Sequence, residues 1–129
     1  MGQQQLLLLV LGSVIVGLAI YTGVQFFDVY QQNNERDVVT QQINILVLDA
    51  RKFAAKPTFL GGGNGKFTGY QPPNDLANTD RVRIYTGATE GAVIFTGFGS
   101  VNGTDGQSPV HIILQYTLAD GKSEVEVIN

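Results

Sequence analysis

The chain has 129 residues, a formal net charge of −3, one His and no Cys, and 43% of its residues are hydrophobic. This length suits one small domain with an appendage, and the lack of cysteine excludes a disulfide framework, a thiolate metal site and a thiol nucleophile. The eight Lys and Arg residues are scattered through an acidic chain, which argues against a nucleic-acid binder, because such proteins gather basic residues on one face.

The first 27 residues carry no charge, and Asp28 is the first charged residue. Between residues 6 and 20, Ser13 is the only polar side chain. About 20 apolar residues in a helix span the hydrocarbon core of a bilayer, and a helix that is apolar all round needs apolar surroundings on every side. Residues 1–27 therefore predict a transmembrane or filament-core helix. A cleavable secretory signal is the alternative, although a basic start and an A-x-A-like cleavage site are missing.

Residues 28–56 predict an amphipathic helix that continues the first one. Its apolar residues recur at steps of four and three, which places them on one stripe: Val39, Ile43, Leu46, Ala50 and Phe53. Pro57 ends this helix. Because adjacent Asn residues favour local side-chain hydrogen bonds over a helix, a bend or a new N-cap at residues 31–34 is the alternative to one continuous rod.

Residues 57–80 are rich in Gly, Pro and Asn and predict a connecting loop. Strand-like runs at 81–86, 92–101, 110–118 and 124–128, with turn residues between them, predict an antiparallel meander over residues 81–129. The stripe on the amphipathic helix is the expected cover for this sheet. The predicted fold class is therefore α+β: a long N-terminal helix, hydrophobic then amphipathic, packed on a C-terminal four-stranded antiparallel β-meander.

Alternation along the strands predicts which apolar side chains are buried. They are Val82, Ile84, Ile112, Leu114, Tyr116, Leu118, Val125 and Val127. In the second run, Val93 and Phe95 compete with Ile94 and Phe98 for the buried face, while Gly97 and Gly99 indicate a bulge or a close backbone approach. The charged residues of the two outer strands, Arg81, Arg83, Glu124 and Glu126, then point outward. They either pair between neighbouring subunits or protect the sheet edges from uncontrolled pairing.

Three patterns resemble chemical sites. Residues 61–68, GGGNGKFT, fail as a phosphate-binding loop, because Leu60 stands at the first glycine position and Phe67 replaces the Ser or Thr. His111 has no marked partner and is interpreted as a surface histidine. Asn102, in the sequence Asn-Gly-Thr, is a candidate glycosylation site. We expect no enzymatic activity, no catalytic residues, no cofactor and no metal site.

The charge-free start, the amphipathic continuation and the meander together resemble the type IV pilin-like subunits of bacteria or archaea. The sequence MGQQQLLLLVLGSVIVG is similar to the start of a processed pilin, where Met or Phe commonly comes first and a glutamate fifth. Here Gln5 takes the fifth position, and Thr22 stands where the family often has a proline. A leader that ends before Met1, or cleavage after Gly2, would each give a pilin-like mature start.

The resemblance implies a structural subunit that polymerises into an extracellular filament through its N-terminal helix. Its partners would be identical subunits, the membrane before assembly, and assembly and processing machinery. The residues expected to pack in the filament core are Gln5, Leu6, Leu9, Val10, Gly12, Ser13, Val16, Gly17, Ile20, Val24 and Phe27. A single-pass membrane-anchored binding domain and a pseudopilin component of a secretion system are the alternatives.

Overall fold

The computed structural model describes residues 2–129, which divide into two compact units, one ending at Gln31 and one comprising Gln32–Asn129. We call the second the head unit. The helices are α1 (Gly2–Ala55), a short 3-10 helix (Thr58–Leu60) and α2 (Asn74–Ala77). The strands are β1 (Arg83–Ala88), β2 (Ala92–Asn102), β3 (Pro109–Thr117) and β4 (Lys122–Val127). One four-stranded antiparallel sheet in the order β1-β2-β3-β4 confirms the predicted α+β class.

Helix α1 ends where the sequence predicts, and the glycine-rich loop closes its end. Residues 31–34 are helical, so the predicted alternative of a new N-cap there is not observed. The backbone N–H groups of Gly63 and Gly65 donate to the carbonyl oxygens of Phe53 and Ala54, at 2.9 and 2.7 Å. The loop therefore satisfies carbonyl groups that the last turn of a helix leaves without partners.

The predicted helical stripe forms one side of the core. Val39, Ile43, Leu46 and Ala50 are fully buried against the apolar face of the sheet, as predicted. Phe53 is only partly buried at the edge of this core, where its ring lies 5.5 Å from that of Tyr70. The side chains that complete the core are Val47, Ala54, Phe67, Tyr70, Val82, Ile84, Val93, Phe95, Val110, Ile112, Leu114 and Tyr116.

Strand β2 approaches the helix closely through its two glycines. Val93 and Phe95 are fully buried, which settles the register that the sequence leaves open. A Cβ atom on Gly97 would lie 2.6 Å from Cγ1 of Val39, and one on Gly99 would lie 2.7 Å from Cγ of Glu35. The pairing with β3 also shifts between Phe98 and Asn102. Both the close approach and the irregularity expected from the glycines are therefore present.

The predicted burial of the last strand is wrong. Val125 pairs with Leu114 and Val127 with Ile112, so the two valines lie on the predicted face of the sheet. They nevertheless remain 46% and 53% exposed, because no other part of residues 2–129 covers β4, all of whose residues are exposed. Leu118, also predicted as buried, follows the end of β3 and is 36% exposed.

Candidate assembly surface and head sites

The N-terminal part of α1 presents apolar side chains in every direction. Its large apolar residues between Leu6 and Phe27 are each 53–72% exposed. We call residues 6–27 the apolar segment. By length and composition, α1 contains a stretch that could cross a membrane, and none of that stretch is buried. Such a helix is compatible with membrane anchoring.

The residues predicted to pack in a filament core all lie in this helix, and every one of them is exposed. None of these side chains is therefore buried by the rest of residues 2–129. Cβ atoms placed on Gly12 or Gly17 would meet nothing within 4 Å. The fold itself thus gives no steric reason for glycine at these positions, whereas small residues do allow a second helix to approach closely.

Two hydroxyl groups in the apolar segment have partners inside the helix. The Ser13 hydroxyl donates to the carbonyl oxygen of Val10 at 2.7 Å, and the Thr22 hydroxyl donates to that of Leu18 at 2.8 Å. A polar group without water or a partner is costly in an apolar environment. Because these two hydroxyls are already satisfied, they do not require the segment to face water.

The head unit contains a buried carboxylate that the sequence analysis did not single out. Glu35 is fully buried. Its Oε1 atom accepts hydrogen bonds from the backbone N–H and the hydroxyl of Ser100, both at 2.8 Å. Its Oε2 atom accepts one from the Arg81 guanidinium at 2.5 Å. The side chain therefore ties helix α1 to strand β2 and to the segment before β1.

The partners of Glu35 keep its carboxyl group ionised. Burial raises the pKa of this group. The two hydrogen bonds from Ser100 and the charge of Arg81 lower the pKa by more than burial raises it, so it falls below the ordinary value. A buried charge is tolerated only when it is paired and hydrogen-bonded. One signal could have revealed this residue: Glu35 lies four positions before Val39 and thus begins the apolar stripe.

The interpretation of Arg81 as an outward-pointing residue of the first strand needs correction. Strand β1 begins at Arg83, and Arg81 precedes it. The Arg81 side chain is 54% exposed, but its guanidinium is bound to Glu35. This contact within the chain weakens the hypothesis that Arg81 pairs with acidic residues of a neighbouring subunit.

A mixed polar and aromatic groove lies beside β1 and β2, with a volume of about 730 Å³. On its aromatic side, the rings of Tyr85 and Phe98 meet edge to face at 5.9 Å. Phe98 also stacks on His111 at 4.4 Å, so His111 is half-buried rather than free on the surface. Arg83 lines the groove and forms no ion pair with any of residues 2–129. Polar ligands with a flat apolar face would suit such a groove.

The candidate glycosylation site lies in an ordered turn. Asn102 is exposed at the end of β2, and its amide nitrogen donates to the carbonyl oxygen of Gly106 at 3.0 Å. The Thr104 hydroxyl accepts a hydrogen bond from Arg36 at 2.7 Å. Backbone hydrogen bonds from Ser108 and Gln107 lower the pKa of Asp105 in the same turn. Glycosylation of Asn102 stays a prediction, and it would require the amide to leave Gly106.

The glycine-rich loop that resembles a phosphate-binding loop has a different position from one. It follows the C-terminus of α1, where the helix dipole disfavours anions, and the N–H groups of Gly63 and Gly65 donate to helix carbonyls. Within residues 2–129, no group of three or more His, Asp or Glu side chains is placed to hold a metal ion.

Comparisons of the chain with models of protein families, with curated protein sequences and with solved structures gave no match. The apolar segment is the most unusual feature of this chain, because it is the largest exposed apolar surface among the described residues.

Proposed function

We propose that this chain is a structural subunit of the type IV pilin-like class, which polymerises into an extracellular filament through its N-terminal helix. The observation that carries the proposal is the apolar segment, whose large side chains are 53–72% exposed. Soluble monomers rarely expose apolar patches larger than a few hundred Å². A segment exposed on all sides requires a cover on all sides.

Two different apolar environments can surround this helix, one before assembly and one after it. Before assembly the segment lies in a membrane, which its length and composition permit. After assembly it packs against the same segments of other copies, away from water. Because lipid chains and leucine side chains are similarly apolar, the exchange involves little net hydrophobic free energy. Close packing and the assembly machinery then supply the remaining driving force.

Several residues of α1 suit the transfer of the apolar segment from lipid to contact with other copies. Gly12, Ser13 and Gly17 are small enough for helices to approach closely, and the Ser13 hydroxyl already has its partner in the helix. Gln5 replaces the glutamate of the resembled family. Its amide can donate and accept hydrogen bonds between neighbouring copies, but it cannot form an ion pair with a neighbour's N-terminus.

The head unit has a core of its own, which suits a subunit that passes from membrane to filament. Ile43, Leu46 and Phe95 are fully buried within the head unit, and none of the buried residues of α1 precedes Glu35. The apolar segment can therefore change its surroundings while the core of the head stays intact.

Electron microscopy of surface material, combined with membrane fractionation, tests the proposal. We expect wild-type protein in both the membrane fraction and in filaments. Val16→Arg places a charge at the centre of the apolar segment, where insertion costs about 2.5–3.5 kcal/mol, and it should abolish filaments. Gln107→Arg, at an exposed position of the turn between β2 and β3, is the matched control and should preserve them. Wild-type protein that stays a membrane-bound monomer would contradict the proposal.

A membrane-anchored binding domain is the second candidate, and the groove beside β1 and β2 is the observation that favours it. The groove combines an aromatic side, Tyr85 and Phe98, with Arg83, which has no ion-pair partner among residues 2–129. Native protein extracted with mild detergent distinguishes the two candidates. A filament subunit should reassemble into polymers when the detergent is removed, whereas an anchored binding domain should enter vesicles as a monomer.

A further inference from the structure

The groove beside β1 and β2 has an exposed aromatic ring that is supported from behind. Along β1, Arg83 and Tyr85 alternate with the buried Ile84, so they lie on the face of the sheet away from the core. Tyr85 is 63% exposed, and its ring meets that of Phe98 edge to face. Phe98 is half-buried and stacks in turn on His111. Tyr85 therefore offers aromatic surface to solvent while its partner holds it in place.

Two other residues of the groove are held by one buried carboxylate. Arg81 and Ser100 both line the groove, and both donate hydrogen bonds to the fully buried Glu35 of α1. The pairing of β2 with β3 is also irregular between Phe98 and Asn102, and such irregularities are common beside functional sites. The groove therefore has a fixed shape before any ligand arrives, which lowers the cost of binding.

The charges that line the groove balance each other. Arg81 is paired with Glu35. Arg83 and Asp80 also line the groove, and neither forms an ion pair with another of residues 2–129. A guanidinium group only donates hydrogen bonds and a carboxylate only accepts them, whereas a hydroxyl group does both. A ligand with a net charge would be attracted by one of these two groups and repelled by the other, but a neutral ligand with several hydroxyl groups can bond with both.

We propose that the groove binds a neutral sugar ring, with its C–H groups on the face of Tyr85 and its hydroxyl groups bonded to Arg83 and Asp80. The face of an aromatic ring carries partial negative charge, and the C–H groups of a sugar are polarised by the oxygen atoms beside them, so the two surfaces attract weakly. The volume of the groove, about 730 Å³, lies within the range of small-molecule sites, about 300–1,000 Å³.

This site goes beyond the formation of a filament and does not depend on it. Every residue that lines the groove belongs to the head unit, and none belongs to the apolar segment. A filament built from this chain would carry the site on each of its subunits. A membrane-anchored monomer would carry it once, and the sugar would then be its ligand.

Saturation-transfer-difference NMR on the full-length chain tests the site. The protein is placed in phosphatidylcholine nanodiscs, because detergents with sugar head groups would compete, and empty nanodiscs give the background. The probes are the methyl glycosides of glucose, galactose, mannose and N-acetylglucosamine, with methyl glucuronide as the charged comparison. We expect transfer to at least one neutral glycoside, strongest at its ring C–H protons. No transfer to any neutral glycoside would overturn the proposal.

Variants of exposed aromatic residues locate the binding. Tyr85→Ala should weaken the affinity for the bound glycoside by about tenfold, because the aromatic contact is lost, and Tyr85→Phe should retain most of it. Phe59 is 83% exposed and does not line the groove, so Phe59→Ala is the matched control and should have no effect. Equal losses in Tyr85→Ala and Phe59→Ala would overturn the assignment to the groove.

The roles of the two charged residues are tested by a ratio of affinities, in which a general effect on the fold cancels. Asp80→Asn leaves Arg83 without an opposing charge, so it should raise the affinity for the glucuronide relative to the glucoside. Arg83→Gln should lower the same ratio. A ratio unchanged in both variants, or wild-type protein that prefers the glucuronide, would overturn the proposed balance of charges.

Electron microscopy of the same preparations separates this site from the proposed function. Tyr85→Ala should form filaments in the wild-type amount. Wild-type filaments that bind none of the neutral glycosides would overturn the sugar site and leave the filament in place. Wild-type protein that binds a glycoside and never polymerises would overturn the filament and leave the sugar site in place.

Discussion

The two halves of helix α1 share one backbone conformation and differ in what surrounds them. In the first half, every large apolar side chain from Leu6 to Phe27 is exposed. In the second half, six apolar residues and Glu35 are buried on one stripe. The difference follows from the pattern of polar residues: a stripe can be covered by one sheet, whereas a fully apolar surface cannot. The first half is therefore the part of the chain that needs a partner outside it.

Removing the first half gives the largest expected effect. A chain that begins at Gln32 keeps the whole core of the head unit and loses the apolar segment. We expect it to be a water-soluble protein with one cooperative thermal transition, whereas the full-length chain should need detergent or lipid. Analytical ultracentrifugation and circular dichroism measure both properties. A shortened chain that aggregates or fails to unfold cooperatively would show that the head depends on the removed residues.

Two leucines in the second half sharpen the comparison within one helix. Leu46 is fully buried, and Leu48 is 55% exposed. In the shortened chain, Leu46→Ala should lower the free energy of unfolding by about 2–5 kcal/mol, because it leaves a cavity in the core. Leu48→Ala should change it by less than about 0.5 kcal/mol. Urea denaturation measures both values, and equal losses would contradict the assigned stripe.

Glycine substitutions extend the comparison to both halves. In Gly97→Ala, the added Cβ would lie 2.6 Å from Cγ1 of Val39, so the helix or the strand must shift, at a cost of about 1–3 kcal/mol. In Gly23→Ala, the added Cβ would meet nothing within 4 Å, and alanine favours a helix by roughly 1 kcal/mol. Thermal unfolding should therefore move down for Gly97→Ala and should not move down for Gly23→Ala in detergent. The opposite order would contradict the close approach of β2 to α1.

The periodicity of apolar residues predicted which side chains face the core. It could not predict how many strands of the sheet helix α1 covers. The stripe from Val39 to Ala50 and the four strands followed from steps of three, four and two residues. The same alternation placed Val125 and Val127 on the correct face and wrongly predicted their burial. Burial depends on the width of the helix relative to the sheet, which is a property of the tertiary structure. In the same way, the small residues of the apolar segment predict packing between helices of different copies, which is a property of the assembly and not of one chain.

Long-range polar contacts were the other feature that the sequence did not reveal. Glu35 is separated from Arg81 by 46 residues and from Ser100 by 65. A single acidic residue in a polar stretch normally lies in solvent, and no local pattern indicates partners so distant along the chain. Its position in step with the apolar stripe was the one local sign.

Glu35→Gln tests the buried carboxylate of the second half, and among these substitutions it is the one whose effect should depend on pH. The pKa of Glu35 is lowered in the folded state from an ordinary value of 4.5. The unfolded chain therefore binds the proton more readily than the folded protein. The stabilisation is complete above the unfolded pKa and is lost as the pH falls through the folded pKa. We expect Glu35→Gln to cost about 1–3 kcal/mol at pH 7, because charged hydrogen bonds are replaced by weaker ones.

The pH dependence separates this carboxylate from the other acidic groups. Below about pH 4.5 the difference in unfolding free energy between wild type and Glu35→Gln should shrink, because the wild-type carboxyl becomes protonated. Glu90 also has a lowered pKa, through Lys66, but it is exposed, so Glu90→Gln should change the acid profile little. If the gap between wild type and Glu35→Gln stayed constant from pH 7 to pH 3, ionisation of Glu35 would not be what stabilises the junction of α1 with β2. The loss in Glu35→Gln would then come from the amide nitrogen of Gln, which cannot accept a hydrogen bond from Ser100 or Arg81 at any pH.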